Sequence, residues 1–148
     1  MLKPLRVLMI LSTVWVGARE ADAQSWLIVV HSQNPLTEIR AAELADIFLG
    51  KLKEFPYGGK AEPVDQSHQQ LIYVRFAREI LDKSPSYLSS YWARRIFSGE
   101  GAPPRGLADS QTVVKFVATH PDAIGYVEEG TPLEGVKTLT LIGGVSHH

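Results

Sequence analysis

Residues 61–81, AEPVDQSHQQLIYVRFAREIL, constrain the fold most, because they join a strand to a helix through a polar turn. The strand ends at Pro63-Val64, and residues 65–70 are all polar. The next apolar residues recur with a period near 3.6, which predicts an amphipathic helix over 68–82 with Ser67 as its N-cap. These apolar residues are Ile72, Tyr73, Phe76, Ala77 and Ile80.

A helix that starts directly after a strand is a candidate anion site. Its first amides lack partners within the helix, and its dipole places positive charge at that end. Most helix starts nevertheless hold only water and a capping side chain, so the rest of the sequence must support the hypothesis.

The rest of the chain alternates between predicted strands and helices. Strands are predicted at 25–31, 123–127 and 137–142, the last as a half-buried strand at an edge. Helices are predicted at 40–48, where Gly50 takes a left-handed cap, after Ser84-Pro85, and after Asp109 or Ser110. This order predicts an α/β fold: a mixed sheet flanked by helices.

The helix after Pro85 carries a stripe of large apolar residues. Leu88, Tyr91, Trp92 and Ile96 stand at i, i+3, i+4 and i+8. This spacing favours packing against the core, and an aromatic platform for a ligand is the alternative.

The N-terminus has the pattern of a signal peptide. Lys3 and Arg6 precede an apolar run over 7–18, and Ala21-Asp22-Ala23 gives an A-x-A cleavage signal. We therefore predict a signal peptide over 1–23, cleavage before Gln24, and a single periplasmic domain over 24–148. A retained anchor or a buried helix is the alternative, although twelve residues are short for a membrane span.

Composition and motifs exclude several classes of function. A net charge of −1 without blocks of like charge gives no sign of nucleic-acid binding. The chain has no cysteine, no H-E-x-x-H and no G-x-S-x-G, and its five histidines show no ligand spacing. We therefore expect no metal site, no cofactor and no enzymatic activity.

Several segments together resemble a known family. They are IVVHSQNP at 28–35, ELADIFLGK at 43–51, PVDQS at 63–67, RFAREIL at 75–81, YWARRIFSGEGAPP at 91–104 and AIGYV at 123–127. They look like the PstS-like phosphate-binding proteins of ABC transporters, in the type II periplasmic binding protein superfamily. The resemblance covers about residues 26–142 and implies a periplasmic-binding-protein-like fold, here as a small single-lobe member.

The resemblance also implies a ligand site. Full-length members have two lobes that close on phosphate, and backbone amides and hydroxyls at a strand-to-helix turn hold its oxygens. That turn corresponds to residues 65–71 here. The implied ligand residues are Ser67, His68, Gln69 and Gln70, with Ser32 and Asn34 closing the other side. The family's Arg and Gly-Ser-Gly-Thr type run are replaced by DQSHQQL.

Two functions follow from the resemblance. The first is an exported solute-binding protein for phosphate or a similar small oxyanion. Its partners would be ABC-transporter membrane subunits, another envelope protein, or a second copy that completes the clamp as a homodimer. The alternative is an interaction or sensory module of the same fold that binds an envelope protein and has lost phosphate binding.

Overall fold

Six strands form one mixed sheet in the order β2-β6-β1-β5-β3-β4 in the computed structural model, which describes residues 25–144. The predicted signal peptide and the last four residues lie outside this range. The strands are β1 (Trp26–His31), β2 (Glu38–Arg40), β3 (Glu62–Gln66), β4 (Arg105–Leu107), β5 (Ala123–Glu128) and β6 (Val136–Ile142). The helices are α1 (Ala41–Phe48), α2 (Leu71–Phe76), which continues as a π-helical turn (Ala77–Leu81), α3 (Pro85–Phe97) and α4 (Ser110–Thr119).

Strand β1 runs against the other five strands. It pairs antiparallel with β5 and β6, whereas β3 is parallel to both β4 and β5, and β2 is parallel to β6. The carboxyl ends of β2 to β6 therefore meet at one edge of the sheet, called here the carboxyl edge. Helices α1, α2 and α4 begin there, which is where α/β sheets commonly bind ligands.

The core lies on both faces of the sheet. One apolar cluster joins the sheet to α1, α2 and α3, and Phe48, Phe76 and Tyr126 pack their rings together in it. A second cluster joins the other face to α4. Successive strand residues point to opposite faces, so Ile124 and Tyr126 belong to the first cluster and Ala123 and Val127 to the second.

The predicted α/β fold with a mixed sheet is confirmed. The short strands β2 and β4 were not predicted, and β6 is an interior strand because β2 pairs along its outer side. Gly50 has the predicted left-handed conformation, with a φ of 71°. No helix within residues 25–144 is long and apolar enough to cross a bilayer.

The predicted start of the helix after the polar turn is wrong. The helix begins at Leu71, with Gln70 as its N-cap, and Ser67 does not cap it. The reason is that Ser67 extends the pairing of β3 with β4: its amide donates to the carbonyl of Leu107 at 2.7 Å. The turn over 67–70 therefore lies outside the helix.

Helix α3 begins as predicted, but its apolar stripe is only partly core. Ser84 Oγ accepts from the amide of Tyr87 at 3.1 Å, and Pro85 occupies the first turn. Leu88 is buried and Trp92 is half-buried, whereas Ile96 is 57% exposed. Ile96 stands at the rim of a cavity instead of the core.

Candidate functional site

Three of the six backbone amides over 67–72 have no hydrogen-bond acceptor within residues 25–144. The amide of Gln70 donates to the carbonyl of Ser67 at 2.9 Å, and that of Gln69 reaches Ser67 Oγ at 3.5 Å. The amides of His68, Leu71 and Ile72 donate to no acceptor within residues 25–144. Three donors therefore remain at the carboxyl edge, where a helix start can stabilise negative charge.

The side chains of this turn have different surroundings. The His68 imidazole is exposed and stacks on the ring of Tyr73, with 4.4 Å between centroids. Gln70 Nε2 donates to the carbonyl of Ala108 at 3.2 Å and ties the turn to the loop before α4. Gln69 is exposed. The structure thus brings Ser67, His68, Gln69 and Gln70 together at one edge.

Ser32 and Asn34 are not brought to that turn. They follow β1, whose Val30 pairs with Ile124 at the start of β5, whereas the turn lies beside the end of β5. The turn after β1 and the turn over 67–70 therefore lie at opposite ends of β5. These ends are about 17 Å apart, because the five residue steps along β5 rise about 3.3 Å each. Asn34 is buried, and its Oδ1 accepts from the amide of Leu36 at 2.9 Å, which gives it a role in the local turn.

A polar cleft of 490 Å³ lies beside the turn on the α4 side of the sheet. Its lining includes Gln66, Gln70 and Ser110, together with the carboxylates of Asp109, Glu128 and Glu129. No lysine, arginine or histidine lines it. An anion at this edge is therefore favoured on the turn amides and disfavoured deeper in the cleft.

Gln66 forms the buried base of the polar cleft. It is 1% exposed, and its Nε2 donates to Ser110 Oγ at 3.0 Å and to the carbonyl of Tyr126 at 2.9 Å. Ser110 Oγ also accepts from the amide of Glu128 at 3.0 Å. This network fixes the ends of β3 and β5 against the start of α4. The polar run over 65–70 did not reveal it, because sequence alone does not show which polar residue is buried.

Asp65 lies on the opposite face of β3 from Gln66 and is also held from two sides. The hydroxyl of Tyr126 and the amide of Gln66 both donate to its Oδ1. Burial raises the pKa of Asp65 from its ordinary 3.8 to about 6, although these two hydrogen bonds and nearby His68 lower it. In the sequence Asp65 is only one of the polar residues over 65–70, and nothing there indicates its burial.

The phenols near Asp65 keep their protons. Burial, and then the negative charge of Asp65, raise the pKa of Tyr73 to about 12. The same two causes raise the pKa of Tyr126 far above its ordinary value. Tyr126 therefore acts as a permanent donor to the carboxylate.

The residues described here do not form a catalytic relay. His68 makes no side-chain hydrogen bond to Asp65 or to Ser89 within residues 25–144, although all three line one cavity. No group of three or more histidine, aspartate and glutamate side chains in that range is placed to hold a metal ion. Within residues 25–144, His68 and Ser89 are therefore not hydrogen-bonded as a nucleophile and its base.

Several solved structures share this fold. An ABC-type phosphate transport receptor from Vibrio cholerae matches with a TM-score of 0.60 and 17% identity, over 80% of this chain and 46% of that one. PstS from Borrelia burgdorferi matches with a TM-score of 0.62 and 13% identity, over 81% of this chain and 48% of that one. A Clostridium perfringens protein of the phosphate ABC transporter substrate-binding type, solved with bound phosphate, matches with a TM-score of 0.61 and 14% identity.

These matches confirm the resemblance at the level of the fold. The chain spans less than half the length of each of these receptors, consistent with a single lobe. Two of the three are named as a phosphate transport receptor and a phosphate substrate-binding protein. No protein-family model matches the chain, and no curated protein matches its sequence.

Proposed function

We propose that this chain, which has the fold of one lobe of a phosphate transport receptor, is an exported solute-binding protein that holds a small oxyanion such as phosphate at the turn over 67–70. The observation that carries the proposal is the set of unpaired amides of His68, Leu71 and Ile72 at the carboxyl edge. Amides at a helix start bind phosphate oxygens through hydrogen bonds and the helix dipole.

The charges around the turn make the strength of oxyanion binding depend on pH. Ionised Asp65 repels an anion, and protonated His68 attracts one. Lowering the pH from 8 toward 6 begins to neutralise Asp65, whose pKa is about 6. Binding of an oxyanion should therefore strengthen as the pH falls from 8 to 6, where phosphate carries a single negative charge more often than two.

A single lobe leaves one side of the ligand in water. Each hydrogen bond then contributes little net free energy, because water competes for the same groups. A second surface would complete the site, supplied by an ABC-transporter membrane subunit, another envelope protein or a second copy of the chain. We expect millimolar affinity for the isolated chain and a clear gain when the second surface is present.

The amide of Leu71 allows a direct test. Proline is tolerated at the first position of a helix, Gln70 before it is extended with a ψ of 134°, and Leu71 is 66% exposed. Leu71→Pro therefore removes one donor without changing charge, and Leu71→Ala retains that donor. Calorimetric titration with phosphate and sulfate at pH 6 should show several-fold weaker binding for Leu71→Pro only. Absence of heat with either anion at millimolar concentration at pH 6 and 8 would contradict the proposal.

The predicted signal peptide is part of this proposal. The A-x-A pattern at residues 21–23 supports export and cleavage before Gln24. Expression of the whole chain in a Gram-negative host should yield a periplasmic protein whose N-terminal sequence begins QSWLIVV. Recovery of the intact N-terminus from the membrane fraction would instead indicate a retained anchor.

The interaction module remains a second candidate, because α3 carries two large exposed apolar residues at its end. Ile96 is 57% exposed and Phe97 is 95% exposed. Exposed apolar side chains of this size are favoured at protein contacts. This candidate predicts that Phe97→Asp abolishes association with an envelope protein, that Leu71→Pro leaves it unchanged, and that phosphate gives no signal.

A further inference from the structure

A second cavity lies on the α3 side of the sheet, on the other face of β3 from the polar cleft. It has a volume of 250 Å³, and we call it the Asp65 cavity. Its walls are mostly apolar and include Phe48, Leu88, Trp92 and Pro104. Its polar lining consists of the Asp65 carboxylate and the side chains of His68, Tyr73 and Ser89.

The Asp65 carboxylate has one oxygen available to this cavity. Both of its hydrogen bonds, from Tyr126 and from the amide of Gln66, go to Oδ1. Oδ2 accepts no hydrogen bond within residues 25–144. The bond from Tyr126 fixes the orientation of the carboxylate, so the free oxygen is held in place before any ligand arrives.

No lysine, arginine or histidine within residues 25–144 forms a salt bridge with this carboxylate. Neither lysine nor arginine lines the Asp65 cavity, and His68 stacks on Tyr73 without a hydrogen bond to Asp65. A partly buried carboxylate without a cationic partner is costly unless a ligand or water compensates it. The combination of one oriented carboxylate and apolar walls is complementary to a cation that carries an apolar group.

We propose that the Asp65 cavity binds a small primary ammonium ion with a short apolar substituent. The ammonium donates to Asp65 Oδ2, and the substituent lies against Leu88 and Trp92. The cavity is slightly smaller than the range of about 300 to 1,000 Å³ found for drug-sized ligands, so its occupant is small. This site adjoins the turn over 67–70 through His68, but its anchor is Asp65, and it does not depend on phosphate binding.

Three probes with one carbon skeleton separate charge from shape. They are isoamylammonium, the neutral isoamyl alcohol and the anionic isovalerate, each titrated into the full chain at pH 7.5 and followed by NMR. The indole N–H of Trp92 reports on the cavity. The indole N–H of Trp26 donates to Glu79 at 2.5 Å, outside the cavity lining, and serves as the internal control. We expect isoamylammonium to bind at least tenfold more tightly than the alcohol, as measured by the concentration dependence of the Trp92 shift. Isovalerate should cause no shift.

Two variants test the role of each part of the cavity. Asp65→Asn keeps the shape and removes the charge, so the preference for the ammonium over the alcohol should disappear. Ala93→Leu fills the cavity from an exposed position on α3 and leaves Asp65 intact, so both probes should lose binding. The second variant keeps the test decisive if Asp65→Asn fails to fold.

The pH dependence gives an independent measurement. The titratable groups that face Asp65 are His68, Tyr73 and Tyr126, and both phenols keep their protons throughout this pH range. Protonation of Asp65 removes the attraction, so ammonium binding should weaken as the pH falls through about 6. Oxyanion binding at the turn has the opposite dependence, so failure of one proposal is distinguishable from failure of the other. Equal affinity for the ammonium and the alcohol, or no shift of the Trp92 signal, would overturn the ammonium site.

Discussion

The hydroxyl of Tyr126 donates to the carboxylate of Asp65 from the directly opposite position on the neighbouring strand. The parallel register pairs Glu62 with Ala123 and Pro63 with Ile124, which carries Asp65 to the level of Tyr126. The bond places a carboxylate on the apolar face of the sheet that packs against α1, α2 and α3. Neither the strand pattern nor the residue types predict such a contact, since it depends on the pairing of β3 with β5.

Asp65 should make the protein less stable as the pH rises. Its folded pKa of about 6 exceeds its ordinary 3.8, so the folded state binds this proton more tightly than the unfolded state. The free energy of unfolding therefore falls between pH 4 and 6, by about 2 kcal/mol for a shift of this size at a half-buried site. Asp65→Asn should remove this decline, which urea denaturation of both proteins at pH 4 and 7.5 measures. Equal stability of the two proteins at pH 7.5 would contradict the prediction.

Tyr126→Phe removes the donor and retains the ring that stacks on Phe76 at 3.9 Å between centroids. The Asp65 carboxylate then loses a hydrogen bond to a charged group, which costs about 1.5 to 3 kcal/mol at pH 7.5. The pKa of Asp65 should rise further, because that bond favours the ionised form. An NMR titration of the Asp65 carboxyl carbon measures it, and an unchanged midpoint would show that the bond does not form in solution.

The fold was predictable where a pattern is local. The apolar runs of β1 and β5 and the Ser84-Pro85 signal each depend on neighbouring residues, and each gave the correct element. The cap at Ser67 failed for the opposite reason. Its amide pairs with Leu107, forty residues away, and no window around Ser67 contains that partner.

The candidate site was predictable only in part, because the residues of a strand do not determine the direction in which it runs in the sheet. Ser32 and Asn34 form a polar turn after a buried strand, as do residues 67–70. Only the antiparallel placement of β1 separates the two turns to opposite edges. Gln66 and Asp65 were missed for a related reason: their roles come from Ser110 and Tyr126, which are distant in sequence.

Gly125 should not tolerate a side chain. A Cβ added there would lie 2.7 Å from Val113 Cγ1 and 3.0 Å from Val64 Cγ2, because α4 packs directly on β5 at this point. Gly125→Ala should lower the free energy of unfolding by about 1 to 3 kcal/mol through overpacking. Gly106→Ala is the matched control in the same sheet, since its Cβ would meet only the carbonyl of Gln66, at 3.9 Å. Urea denaturation compares the two, and equal losses would show that the close packing of α4 is not the cause.

Arg95 should hold the loop over 98–104 against the body of the protein. Its guanidinium donates to the carbonyl of Gly50 at 3.2 Å, pairs with the Glu100 carboxylate at 3.5 Å, and lies over the ring of Trp92. These contacts use the planar fork of arginine, which an ammonium does not reproduce. Arg95→Lys should therefore release the loop while keeping the charge, at a cost of about 1 kcal/mol.

The neighbouring residue supplies the control for Arg95. Arg94 is exposed on the same turn of α3, and its side chain forms no hydrogen bond or ion pair within residues 25–144. Hydrogen exchange should become faster over 98–104 in Arg95→Lys and remain unchanged in Arg94→Lys. Because Pro103 and Pro104 of this loop wall the Asp65 cavity, Arg95→Lys should also weaken binding of isoamylammonium. Faster exchange with unchanged ammonium binding would show that the loop does not shape the cavity, and the wall formed by α3 would then account for it alone.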